Sequence, residues 1–121
     1  MSQIPEIEFL APQTVRQVRA LGGDELLRRL AGLLLELTPQ RLGALAEALR
    51  SDDLAAARMA VHALSSTAGT VGAEGLLGAA QRVEAAPSVP EARAAAAILE
   101  DEWRRLEPPL SRWLAGPEGL E

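Results

Sequence analysis

Residues 24–37 read DELLRRLAGLLLEL, and this stretch decides the fold class. Leu26, Leu27, Leu30, Leu33, Leu34 and Leu37 recur at i, i+3, i+4 and i+7, which places them on one side of an α-helix. The whole chain has the same bias. Its apolar share is 48%, yet only Phe9, Trp103 and Trp113 are aromatic, so the apolar residues are mostly Leu and Ala. Both are strong helix formers. Val and Ile are few and scattered, which leaves a β-rich fold without its usual material. At 121 residues the chain suits one all-α domain, 1–121, with one core.

Upstream of this stretch, Gly22-Gly23 stops a short first helix over Ala11–Leu21, and Asp24 is placed to cap the next one. Pro12 is tolerated in the first turn of that short helix. Residues 1–10 read as a loose lead from which Ile4, Ile7 and Leu10 can touch the core. Downstream, Thr38-Pro39 predicts either a kink or a new helix capped by Thr38. Leu42, Leu45 and Leu49 prolong the apolar stripe, so a kink with the direction kept is expected.

Ser51-Asp52-Asp53 connects to a helix whose inner face is Leu54, Ala57, Val61, Leu64, Ala68 and Val71. Gly72 ends that helix. The next spans about Ala73 to Ala86, with Leu76, Leu77, Ala80 and Val83 inward. After the Ala86–Pro90 loop, a last helix from Glu91 turns Ala95, Ile98, Leu99, Trp103 and Leu106 to the core. Pro108-Pro109 is expected to break or kink it, leaving Leu110, Trp113 and Leu114 in a short final turn. Residues 116–121 are expected to fray. The bundle therefore occupies 11–115. Short connections predict an antiparallel, up-down-up-down four-helix bundle with an additional short N-terminal helix.

Composition also narrows function. All 12 basic residues are Arg, the net charge is −5, and the arginines form no basic stripe, so nucleic-acid binding lacks its footprint. The absence of Cys excludes disulfides and thiolate metal sites. The N-terminus is acidic with no long apolar run, so neither a signal peptide nor a membrane span is expected, and the cytoplasm is the default.

The chain has a single His, at position 62, in the stretch HALSSTAGTVGA of residues 62–73. On the helical projection His62 lies roughly 130° from the centre of the inner face. Ala55, Arg58, Met59, Ser66, Gly69 and Thr70 share its outer side. A metal site needs three or four ligands, and Asp52, Asp53, Glu74 and Glu84 match no metal-loop spacing. A hydrolytic pair of His62 with Ser66 at i+4 lacks an oxyanion hole on a convex face. Phosphoryl acceptance fits better, because neutral imidazole is a nucleophile near its ordinary pKa of about 6.5 and must be exposed to be reached. Ser66 and Gly69 leave room, and Met59 with Ala55 offers an adaptable docking surface. One ring nitrogen must attack while the other is held, and Glu84 on the next helix is the candidate holder. An exposed helical His is far more often inert. From the residues alone, phosphoryl acceptance is one option beside an ordinary surface side chain.

The stretch resembles the signature of histidine phosphotransfer (HPt) domains, approximately H-x-L-K-G-x-x-x-x-x-G-A. His62, Leu64, Gly72 and Ala73 match in register, and Leu76 with Val83-Glu84 is similar to the family's L…LE. Upstream, Pro39, Leu42, Leu45, Ala48-Leu49, Asp53, Ala57 and Ala60 resemble the family's approach to its His. The resemblance covers about residues 11–115. It departs at two positions, where the usual Lys is Ser65 and the usual Gly is Ser66. Ser66 keeps access. For the missing charge two readings stand side by side: Arg58 takes the electrostatic role, with the Ser65 and Ser66 hydroxyls as extra donors, or Arg58 is a solvated charge and transfer is slower or partner-dependent.

The resemblance implies a four-helix bundle with an extra N-terminal helix and a phosphoryl carrier on His62 with no kinase activity of its own. The expected partners are a response-regulator receiver domain and a sensor histidine kinase, hybrid kinases included. Docking falls to Ala55, Met59 and Thr70. No cofactor of the chain's own is implied; Mg²⁺ belongs to the receiver's acidic pocket. A monomer is expected, and the initiating Met1 leads to the expectation of a free-standing protein. Two other readings compete. One is a degenerate HPt-like bundle that binds a receiver or kinase as a non-phosphorylated adaptor. The other is an unrelated helical adaptor or dimerisation bundle.

Overall fold

The Leu- and Ala-rich runs become four helices in a computed structural model that describes residues 9–116: α1 (Pro12–Arg50), α2 (Leu54–Val71), α3 (Glu74–Ala85) and α4 (Val89–Ala115). No strand occurs among the described residues. The lead through residue 8, with Ile4 and Ile7, and the tail from residue 117 lie outside them.

Local chemistry sets the helix ends. Pro12 sits in the first turn of α1, where its missing N–H removes no helical bond. Asp53 caps α2 by accepting from Ala56 N at 3.0 Å. Ser88 caps α4 reciprocally: its Oγ accepts from Glu91 N at 3.4 Å and donates to Glu91 Oε1 at 2.7 Å. Gly72 closes α2 in the left-handed conformation, with φ 81°.

Within α1 the helical path is interrupted at Gly22 (φ −151°, ψ 15°) and Gly23 (φ 70°, ψ −169°), so two helical segments meet at a kink there. Asp24, past the kink, pairs with Arg19 at 2.6 Å. Thr38-Pro39, by contrast, neither starts a new helix nor departs from helical φ/ψ. Thr38 is buried and its Oγ1 donates to Leu34 O at 2.6 Å, a back-bond within the helix rather than a cap. Pro39 faces solvent, so its ring displaces no core packing.

The prolines of α4 require a larger correction. The helix starts at Val89 and continues through Pro108 and Pro109 to Ala115. Tertiary anchors hold the last turns. Leu110 is fully buried, Arg28 Nη2 donates to Leu114 O, and the Arg28 guanidinium lies 5.6 Å from the Trp113 ring centroid. These contacts outweigh two missing N–H donors at the helix surface.

Each helix packs on the next in sequence, and α4 closes back on α1. The core stripe of α1 is Leu27, Ala31, Leu34, Thr38 and Leu45, continued by Ala48 and Leu49. Leu26, Leu30 and Leu37 flank it, half-buried, and Leu33 is exposed, contrary to its expected inward position. The apolar stripe is wider than the buried seam, and Leu26 and Leu30 pack against the edge of the core. Ile98 is likewise exposed; the buried seam of α4 is Ala92, Ala95, Ala96, Leu99, Leu106 and Leu110. On α2 the expected inner face is buried apart from the half-buried Leu54, and Ala60 and Ser65 join it.

The N-terminal segment is tied to the α2–α3 turn. Ala11 N donates to Gly72 O at 2.8 Å, and Leu10 is buried beside it. A Cβ on Gly72 would lie 2.8 Å from Thr14 Cβ and 3.0 Å from Ala11 N. Close approach and positive φ both require glycine at this turn.

Candidate functional site

Helix α2 presents Ala55, Arg58, Met59, His62, Ala63, Ser66, Gly69 and Thr70 to solvent. Its 18 residues include no carboxylate, and Arg58 is its only permanently charged side chain. Met59 is 74% exposed, an apolar side chain standing one turn before the His.

The His62 side chain is 81% exposed, and its Nδ1 lies 2.8 Å from Glu84 Oε2. A carboxylate oxygen only accepts, so this contact places the ring proton on Nδ1. The lone pair of the neutral ring is then on Nε2, the nitrogen turned away from Glu84. Glu84 itself is 25% exposed and rises from the last turn of α3. Its second oxygen, Oε1, accepts from Ser65 Oγ at 2.7 Å.

The remaining site residues divide between this cluster and other duties. Ser65 is buried, so its hydroxyl does not join the displayed face. Ser66 does, and its backbone carbonyl accepts from Thr70 Oγ1 at 2.9 Å. Gly69 is exposed with Leu77 of α3 beneath it, 3.7 Å from where a Cβ would stand. Arg58 Nη2 donates to Ala86 O at 2.6 Å, past the C-terminal end of α3. A cation there complements the negative end of the helix dipole. The candidate electrostatic stand-in is thus engaged with backbone.

Clefts elsewhere on the surface lie on other seams. One of 200 Å³ between α3 and α4 is lined by Phe9, Gly75 and Glu102 among others. Another of 460 Å³ lies between Leu35 and Pro39 of α1 and Trp103 and Pro108 of α4. The imidazole stands on a convex surface, where exclusion of water depends on a second molecule. Among the described residues no group of three or more His, Asp or Glu side chains is arranged to hold a metal ion. No helix of the described residues is long and apolar enough to cross a membrane.

The model of the Hpt domain family matches residues 29–108, from the middle of α1 to Pro108 of α4. The chain belongs to the Hpt domain family. No curated protein and no solved structure matches it. Hpt domains are phosphocarrier modules of phosphorelays rather than catalysts, and they interact with the kinase and receiver domains of two-component systems. In this Hpt domain the matched span contains α2 and α3 whole, and with them His62, Ser65 and Glu84. The kink at Gly22-Gly23 and the segment before it fall outside the match.

Sequence reasoning placed Ser65 beside the phosphoryl group and overlooked its burial. The helical projection carried the signal: Ser65 is one residue past Leu64 and three before Ala68, on the flank of the inner face. The Arg58–Ala86 contact had no comparable signal, because the position of the α3 terminus depends on the turn at Gly72.

Proposed function

We propose that His62 accepts a phosphoryl group on Nε2 and relays it between a histidine kinase or receiver domain and the Asp of a response-regulator receiver. The observation that carries this reading is the division of the ring, with Nδ1 held at 2.8 Å by Glu84 and the opposite nitrogen open on a side chain 81% exposed. In the accepting step the Nε2 lone pair attacks phosphorus in line with the donor's P–O bond. That bond breaks and its electron pair returns to the donor Asp as carboxylate. The ring keeps its Nδ1 proton and becomes a phosphorylated imidazolium, whose positive charge faces Glu84. Onward transfer reverses these changes at a second Asp.

The partner supplies most of the positioning and charge neutralisation, with Mg²⁺ in the receiver's acidic pocket. Ala55, Met59 and Thr70, with the small residues Ser66 and Gly69, form the docking surface around the ring. The chain acts as a monomer and has no kinase activity of its own. An up-down-up-down course of the helices belongs to the same reading. It is supported by the pairings of His62 with Glu84 and Gly69 with Leu77, and by those of Arg93 with Leu49 and Arg28 with Leu114.

The deciding experiment incubates the protein with phosphorylated receivers or kinases and compares it with His62→Gln. An acid-labile, base-stable label that disappears in the variant is expected. Receiver binding without any label would replace this reading with that of a non-phosphorylated adaptor.

A further inference from the structure

We infer that Ser65 is a positioning residue that fixes Glu84 so that His62 keeps its proton on Nδ1 and presents Nε2 to the phosphoryl group. The inference rests on the proposed phosphoryl acceptance and deepens it. Glu84 stands in the last turn of α3, where the helix dipole disfavours an anion. A glutamate there, with three rotatable bonds, does not hold one geometry unaided. Two donors from α2 restrain it: Ser65 Oγ at 2.7 Å on Oε1 and His62 Nδ1 at 2.8 Å on Oε2. The donors are one helical turn apart on the same element, so the carboxylate is gripped at both oxygens by a single rigid support.

The two grips differ in kind. Ser65 is 8% exposed and lies behind the carboxylate, whereas His62 is displayed in front of it. Loss of the rear hydrogen bond frees Glu84 to turn towards solvent, and Nδ1 then loses its acceptor. Free imidazole prefers its proton on Nε2, the tautomer in which the outward nitrogen has no lone pair for attack. Ser65 therefore acts through the holder of the ring and does not touch the transferred group. This role suits a short hydroxyl at the position where the family pattern carries Lys. A long ammonium side chain would pass the carboxylate and reach the surface.

The test uses the full chain, ¹⁵N-labelled, with the tautomer of His62 read by NMR at a pH where the ring is neutral. Phosphoramidate serves as the phosphoryl donor. Wild type is expected to show the Nδ1–H form. Ser65→Ala shifts the population towards Nε2–H and slows phosphorylation about five-fold, the loss of one net hydrogen bond. Ser65→Thr, which keeps the hydroxyl, retains both properties. In a Glu84→Ala background, Ser65→Ala has no further effect on the tautomer. Far-UV circular dichroism accompanies each variant. An unchanged Nδ1–H population in folded Ser65→Ala overturns the inference even if His62 is phosphorylated normally. Absence of label on wild type with its cognate partners removes the phosphoryl-carrier reading instead, and the tautomer shift still decides the role of Ser65.

Discussion

Glu84 reaches His62 from the last turn of α3, with Oε2 2.8 Å from Nδ1, the carboxylate 25% exposed and the imidazole 81%. One nitrogen of the ring is thus sheltered and the other is open. Glu84→Gln preserves an acceptor oxygen and removes the charge that faces the imidazolium formed on transfer. Phosphorylation of His62 is expected to slow about ten-fold, the loss of roughly one favourable charge contact. Stability measured by urea unfolding should change by less than about 1 kcal/mol.

Gly72 is expected to be among the least replaceable residues of the fold. Its φ is 81°, and a Cβ there would be 2.8 Å from Thr14 Cβ. Gly72→Ala should lower unfolding free energy by about 2 kcal/mol or more, from backbone strain and displacement of the N-terminal segment together. Loss of the Ala11–Gly72 hydrogen bond should appear as faster amide exchange at Ala11.

Arg58 separates two expectations. Its guanidinium donates to Ala86 O at 2.6 Å, so Arg58→Ala should cost stability of about 1 kcal/mol. Phosphorylation by phosphoramidate should fall less than it does in Ser65→Ala. A larger fall would return Arg58 to the electrostatic role.

The seam of α4 is tested by two adjacent residues. Leu99 is fully buried and Ile98 is 40% exposed. Leu99→Ala should destabilise by roughly 3 kcal/mol, and Ile98→Ala by about 1 kcal/mol or less. Comparable losses would mean that the helix is rotated from its described position.

The all-α class, the inner face of α2 and the outward position of His62 were legible because they depend on periodicity, which local sequence carries in full. The separate short N-terminal helix expected before Gly22-Gly23 is instead the first segment of α1, joined at a kink. Leu33 and Ile98 were misplaced for a different reason. Each stands on an apolar stripe wider than its neighbours can cover, and tertiary packing selects which row is buried. Pro108-Pro109 read as a break on local rules, but Leu110 and the Arg28 contacts at Leu114 and Trp113 lie dozens of residues apart in sequence and carry the helix through. At the site, Glu84 on the neighbouring helix was legible only as a candidate holder of the ring, beside the alternative of a solvated side chain, and the structure places it 2.8 Å from Nδ1. The second bond of that carboxylate was not legible. It depends on how deeply Ser65 sinks between the helices, and no residue type states a depth.

The carboxylate-free surface of α2 gives the molecule an orientation before any contact is made. In a chain of net charge −5, the acidic side chains of the described residues lie on α1, α3, α4 and the connections between helices, and an acidic partner approaching those flanks is repelled. The outward face of α2 adds no such barrier of its own, and Glu84, the carboxylate beside His62, is only 25% exposed and paired with the ring. The resulting torque sorts encounters at distances up to about one Debye length, roughly 8 Å at physiological salt. Productive collisions should therefore become a smaller share of all collisions as salt is added, with the bound complex itself unchanged.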